Sequence, residues 1–439
     1  MRIKRIVIVV FILLMVFATL RPFWNKQFWP EGYYDNLSEY VELESSTYFN
    51  QKEMSEDKTE EESEELTLKE ERSTEKVSEE STTQDNSSKK EPEEEITEKI
   101  LGLDYYNQLN NQQKEVYRQI VNGCKKYQKK ITVTPLSQKK FWTAYYAVSC
   151  DHPEFFWLNE KGVMIENYRN VKNQINGLEM NVGKDTKKQF QKIEKSADKI
   201  LSEISEADST YNQIKKIYNA LLDLTEYKEN SYDQDLRGPF IRHKTVCNGY
   251  AMAFAYLCKK RGINCSYAYG TVIREDKKEL HAWNIVELDG KYYWIDATWG
   301  DDTDKNVRNY WYFLVPDKYF FEDHTLNYGV SFKEGEKKCF SFPECNDDSL
   351  YYFVKEGGLF EKFDKNQVKS FIYNKTDKKV VKKIAMKFTS KEALFQAEKY
   401  LIDENNLFNC LGKESAKLVK RYDCLDYSSS KILIFMLKT

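Results

Sequence analysis

Histidine is scarce in this 439-residue sequence, glycine is sparse, and neither sign of charge dominates. Its four histidines, at 152, 243, 281 and 324, and its nine cysteines form no close pairs at finger spacing, which argues against a structural zinc site or any other bound metal. The 17 glycines include no phosphate-cradling loop, and no internal repeat is present, so neither a nucleotide-binding loop nor a repeat array is expected. A formal charge of -3 gives no electrostatic ground for a nucleic-acid partner. Aromatic residues make up 15% of the chain, yet none falls between residues 51 and 100, so that stretch contributes nothing to a core. The composition also excludes a wholly disordered, collagen-like or multi-spanning membrane protein.

The near-neutral total hides an uneven distribution. Residues 51–100 carry 19 acidic and 8 basic side chains, a net of -11, and residues 1–50 balance, which leaves +8 for residues 101–439. Arg2, Lys4 and Arg5 precede an uncharged run over residues 6–20, closed by Arg21 and Pro22. Residues 1–24 therefore read as a signal-anchor or signal peptide that contacts the membrane through residues 6–20. Val16-Phe17-Ala18 offers a cleavage site but lacks the polar region that usually precedes one, so retention is favoured over secretion after cleavage. The positive-inside rule then turns everything after Arg21 outward. Residues 25–99 form an acidic linker held extended by self-repulsion, and folded structure is expected to resume near Ile100.

Residues 100–206 read as a helical N-terminal region. Glu115 to Val121, the aromatic stretch 141–158, and Phe190, Ile193, Ala197, Leu201 and Ile204 support it. A further helix is opened by Thr210 with Gln213 three positions on, a capping-box spacing.

The chemistry is concentrated after Arg242. Cys247 stands directly ahead of a helical pattern at Ala251, Phe254, Ala255 and Cys258, which stops at Lys259-Lys260-Arg261-Gly262. A cysteine at a helix start meets unpaired N–H groups that favour its thiolate. Beyond it, His281 to Leu288 and Lys291 to Trp299 flank Asp289-Gly290, the signature of a two-residue β-hairpin. A two-residue turn pairs Leu288 with Lys291, Trp283 with Asp296 and His281 with Thr298. His281 and Asp296 then become diagonal neighbours on one face, close enough for a carboxylate to orient the imidazole toward a thiol. Trp283 shares that face and is the aromatic residue expected to touch substrate. His243 reads as a loop histidine.

The blocks Val246-Cys247-Asn248-Gly249-Tyr250-Ala251, His281-Ala282-Trp283-Asn284 and Trp294-Ile295-Asp296-Ala297-Thr298-Trp299 resemble the transglutaminase-like superfamily, relatives of papain-like cysteine enzymes. The resemblance covers roughly residues 207–325, including the trailing Asp323-His324-Thr325. It implies Cys247 as nucleophile, His281 as general base and Asp296 as the orienting acid, with no cofactor. Thr245 stands where many relatives have Gly or Ala, and its bulk is expected to crowd substrate access.

The fold class expected is α+β. It comprises a papain/transglutaminase-like core over residues 207–330, with a nucleophile helix packed on an antiparallel sheet, and a small α+β domain over residues 331–439. Within that domain, Tyr351 to Val354, Phe371 to Tyr373, Ile384 to Phe388 and Ile432 to Phe435 read as strands and Lys391 to Ile402 as a helix. The function expected is thiol acyl transfer on amide bonds of a protein or peptide substrate at the cell surface, by crosslinking, deamidation or hydrolysis. Two alternatives from other classes are an inactive binding module of the same fold and a wall-associated protein whose partner is an anionic wall polymer. The other eight cysteines receive no pairing.

Overall fold

The computed structural model describes residues 102–158, 164–167, 174–180, 182–274, 277–301, 309–326 and 340–439. The signal-anchor (1–24), the acidic linker (25–99) and Cys339 lie outside the described residues. Among the described residues, no helix is long and apolar enough to cross a membrane.

The N-terminal region begins with α1 (Asn111–Lys125), opened by a capping box in which Asn110 and Gln113 satisfy each other's backbone N–H groups. Strand β1 (Lys130–Ser137) and helix α2 (Gln138–Asp151) follow, then β2 (Met164–Asn167) and β3 (Gln174–Glu179). The three strands form an antiparallel sheet in the order β1-β3-β2, so this region is not helical throughout. In β1, Ile131 and Val133 are buried while Lys130, Thr132 and Thr134 beside them face water, so the strand covers one side of α1.

Helices α3 (Thr186–Ser202) and α4 (Thr210–Leu224) lead into the core. The cap of α4 is Ser209, one position before the expected Thr210; its hydroxyl accepts from Asn212 N, and Gln213 reaches back to the Asp208 carbonyl instead. Two short parallel strands, β4 (Glu226–Tyr227) and β5 (Lys244–Thr245), bracket the loop before α5 (Cys247–Lys260). Helix α5 is buried from Gly249 to Cys258, as a helix apolar on all sides must be, and ends at Gly262 with φ 74°.

A five-stranded sheet packs on it, built from β6 (Cys265–Arg274), β7 (Lys277–Leu288), β8 (Lys291–Ile295), β9 (Phe313–Val315) and β10 (His324–Leu326) in the order β10-β6-β7-β8-β9. Asp289 and Gly290 both take positive φ, 54° and 76°, which the two-residue turn requires. The expected register holds from Leu288↔Lys291 to Asn284↔Ile295, where β8 ends. Beyond that point Asp296 N donates to the Tyr312 carbonyl, so the expected His281–Thr298 pair is replaced by a crossing onto β9. From His281 onward β7 is buried apart from the half-buried Glu287, because α5 covers one face and an aromatic cluster the other. The Asn284 amide anchors the helix side by donating to the Ala251 carbonyl.

The C-terminal domain carries β11 (Leu359–Phe360), α6 (Lys365–Thr376), β12 (Lys383–Phe388), α7 (Lys391–Glu398), β13 (Arg421–Tyr427) and β14 (Ile432–Lys438), with sheet order β11-β12-β14-β13. Two expected strands are helical: Tyr352–Lys355 forms one turn, and Phe371 to Tyr373 lies inside α6, which Asp364 caps. The alternation of β12 and β14 divides their side chains between two cores. Ile384, Met386, Leu433 and Phe435 pack under α6 and α7, whereas Ala385, Ile432 and Ile434 join Trp283, Trp294 and Phe320 of the preceding domain. Across that seam buried Lys387 pairs with Glu322 at 2.6 Å, which Lys431 also meets at 2.8 Å.

Candidate active site

Cys247 is the first residue of α5 and is half-buried. Its N-cap, Val246, makes no side-chain cap bond, so the first-turn N–H groups remain directed at the space before the helix. Asn248 fixes that turn: its amide donates to the Gln234 carbonyl at 2.7 Å, and its oxygen accepts from the Tyr267 hydroxyl at 2.7 Å.

Thr245 does not crowd the cleft. It is fully buried and its hydroxyl donates to the Asp233 carbonyl at 2.7 Å, which corrects the expectation of hindered access. Its hydroxyl and Cβ fill the space beside Gly249 instead. A Cβ at Gly249 would stand 1.9 Å from Thr245 Oγ1 and 2.9 Å from the Asp233 carbonyl. Gly249→Ala is therefore expected to cost about 1–3 kcal/mol and lower the midpoint of thermal unfolding. Adding Thr245→Gly should restore part of that loss, since only the backbone contact remains. Additive losses in the double variant would argue against this contact as the cause.

His281 Nε2 donates to Asp296 Oδ2 at 2.7 Å, and the Cys247 side chain lies close enough to the same ring to favour its protonated form. With Nε2 engaged, Nδ1 is the nitrogen left for the thiol. Burial disfavours a charged ring, but the Asp296 carboxylate, its hydrogen bond and the Cys247 contact outweigh it and raise the His281 pKa to about 10. Burial likewise pushes Asp296 upward, yet His281 and His324 together hold its carboxyl well below the usual carboxylate range. The structure thus brings Cys247, His281 and Asp296 together.

Asp296 is wholly buried and accepts on both oxygens. Oδ1 takes the backbone N–H groups of Thr298 (2.8 Å) and Trp299 (3.2 Å), while Oδ2 takes His281 and, at 3.4 Å, Nε2 of His324. The other nitrogen of His324, Nδ1, meets Asp323 Oδ1 at 2.6 Å, and the Tyr312 hydroxyl donates to Asp323 Oδ2. His324 and Asp323 thus form a second buried layer behind the His281–Asp296 pair. In the sequence they were visible only as the trailing Asp-His-Thr, without a role.

Two aromatic residues exchange importance. Trp283 is completely buried and packs edge-on against His324 and Phe320, so it is a floor beneath the site and does not touch substrate. Trp299 is only half-buried, with its ring 5.6 Å from that of His281 and 4.7 Å from that of His324. It is the aromatic surface beside the reacting atoms. His243 is exposed with φ 56° and faces the Leu224 carbonyl, away from this cluster.

Donor atoms of His281, Asp296 and His324 lie within 4.8 Å of one another, a set a metal ion accepts. Both histidine nitrogens already point at one carboxylate oxygen, an arrangement that needs no ion to be satisfied. All eight described cysteines are free thiols.

Residues 198–298 match the model of the transglutaminase-like superfamily, so the chain contains a transglutaminase-like domain. The chain is 29% identical over 166 residues to kyphoscoliosis peptidase of Mus musculus, covering 31% of this chain and 25% of that protein. It is 32% identical over 96 residues to kyphoscoliosis peptidase of Homo sapiens, covering 18% and 14%. The match thus spans a quarter or less of the length of these relatives. A solved TGase structure shares 17% identity with a TM-score of 0.24, covering 34% of this chain and 47% of that one.

Proposed function

We propose that the transglutaminase-like domain is a thiol acyl-transfer enzyme for amide bonds of proteins or peptides, with Cys247, His281 and Asp296 as its triad. The observation that carries this reading is a buried carboxylate 2.7 Å from an imidazole that a cysteine at a helix N-terminus also influences.

In the first half-reaction the Cys247 sulfur attacks the carbonyl carbon of the amide, and the oxygen takes up negative charge. The first-turn N–H groups of α5, which no N-cap side chain engages, would receive it. Imidazolium His281 gives its Nδ1 proton to the nitrogen of the breaking C–N bond, which leaves as ammonia or an amine, and a thioester remains. In the second half-reaction neutral His281 takes a proton from an incoming amine or water, which displaces Cys247. An amine gives a crosslink; water gives deamidation or peptide cleavage.

Mass spectrometry of candidate protein substrates with and without the enzyme separates these outcomes through amine incorporation, a glutamine-to-glutamate mass change or new termini. The absence of all three across broad substrate sets would favour a binding module of the same fold. Placement outside a membrane rests on residues 1–24, and labelling of Cys247 in intact cells by a membrane-impermeant thiol reagent tests it.

A further inference from the structure

A cavity of about 620 Å³ lies where α4 and the start of β9 meet residues 350–356 and 379–383 of the C-terminal domain. Five lysines, Lys215, Lys355, Lys379, Lys382 and Lys383, line it against a single carboxylate, Glu356, which is itself bonded to Lys375. Among the described residues no carboxylate pairs with Lys215, Lys355 or Lys379. The ammonium of Lys215 sits 4.7 Å from the ring centre of Tyr310, and that of Lys355 sits 4.1 Å from the ring centre of Tyr211. Stacking on these faces holds the two charges in place without neutralising them. Several like charges around one concavity create a field that an anion relieves.

We propose that this cavity docks an acidic segment of the protein on which Cys247 acts; the inference rests on the acyl-transfer reading above. Two features favour a carboxylate-rich peptide over a phosphate-bearing polymer. No arginine lines the cavity, so the two-pronged guanidinium fork suited to phosphate is missing, and each lysine meets an acceptor as a single point charge. Leu350, Val380 and Val381 line the cavity among the lysines and would give apolar contact to peptide side chains.

Fluorescence polarisation of the full chain with a short glutamate- and leucine-containing peptide tests this, with inorganic polyphosphate as the second probe. The peptide is expected to bind, to weaken at least about tenfold from low to high salt, and to lose at least about tenfold in affinity in the Lys215→Gln/Lys355→Gln double variant. The same variant should raise KM for a substrate carrying an acidic tag while leaving its kcat unchanged. Lys215→Arg/Lys355→Arg, which keeps the charge, should bind the peptide normally. Cys247→Ala should also bind it normally, so loss of the chemistry and loss of the docking site give different results. Equal binding by wild type and the Gln variant, or binding of polyphosphate without the peptide, would overturn the proposal.

Discussion

Replacing Cys247 by alanine is expected to lower turnover of any amide substrate by at least about 10⁴-fold with little change in thermal stability. The large effect follows from its role: among the described residues no other nucleophile sits beside His281, and without a thioester neither half-reaction proceeds. The small structural effect follows from its position, since Cys247 is only half-buried, in the first turn of α5. A companion measurement is peptide-level mapping of alkylation at pH 7. Burial pushes the thiols of Cys124, Cys150, Cys258, Cys345 and Cys410 up, and that of Cys424 up to about 11. These thiols stay protonated and slow, so Cys247 should be modified ahead of them and the modification should track loss of activity. Faster alkylation at any of those six, or full turnover by Cys247→Ala, would show that the nucleophile lies elsewhere.

The parts of this site that the sequence discloses are those whose geometry is local. A helix N-terminus follows from the pattern after Cys247, and a two-residue turn sets the register of β7 against β8, placing Asp296 near His281 through an alternation rule. What the sequence conceals depends on what covers each face. Trp283 shares the His281 face, as alternation requires, but Phe320 and the C-terminal strand β14 close over it, and nothing near Trp283 in the sequence announces them. His324 stands 28 residues beyond Asp296 and reaches it only because β10 pairs with β6 at the far side of the sheet. The strand expected at Phe371 to Tyr373 failed for another reason. Three apolar residues in a row fit either period, and the deciding signal was the Asp364 cap seven residues earlier. The N-terminal sheet was hidden by similar means: β2 is four residues long, and the aromatic stretch beside it gave the stronger, helical signal.

Asp296→Asn is expected to keep the fold and reduce kcat by about 10²- to 10⁴-fold. The substitution preserves shape, and its remaining oxygen can still accept from the Thr298 and Trp299 N–H groups. Its amide group, however, replaces Oδ2 with a donor facing His281 Nε2. That nitrogen must then accept, which moves the ring proton to Nδ1, opposite the thiol, and leaves no acceptor there to take a proton from Cys247. The same change reverses the balance that sets the charge on His281. In the wild type the carboxylate outweighs burial and the ring stays protonated up to about pH 10, so the alkaline limb of kcat/KM should fall near that value as the proton donor for the leaving nitrogen is lost. Without the carboxylate, only the smaller Cys247 contribution opposes burial, which favours the neutral ring, so the alkaline limb must move to lower pH. His324→Gln removes only the weaker partner of Asp296, at 3.4 Å, and should shift the limb in the same direction by less, with a smaller fall in kcat. An alkaline limb unchanged in Asp296→Asn would show that another group holds the His281 proton, and equal effects of the two substitutions would assign the orientation of His281 to the whole buried layer of Asp296, His324 and Asp323.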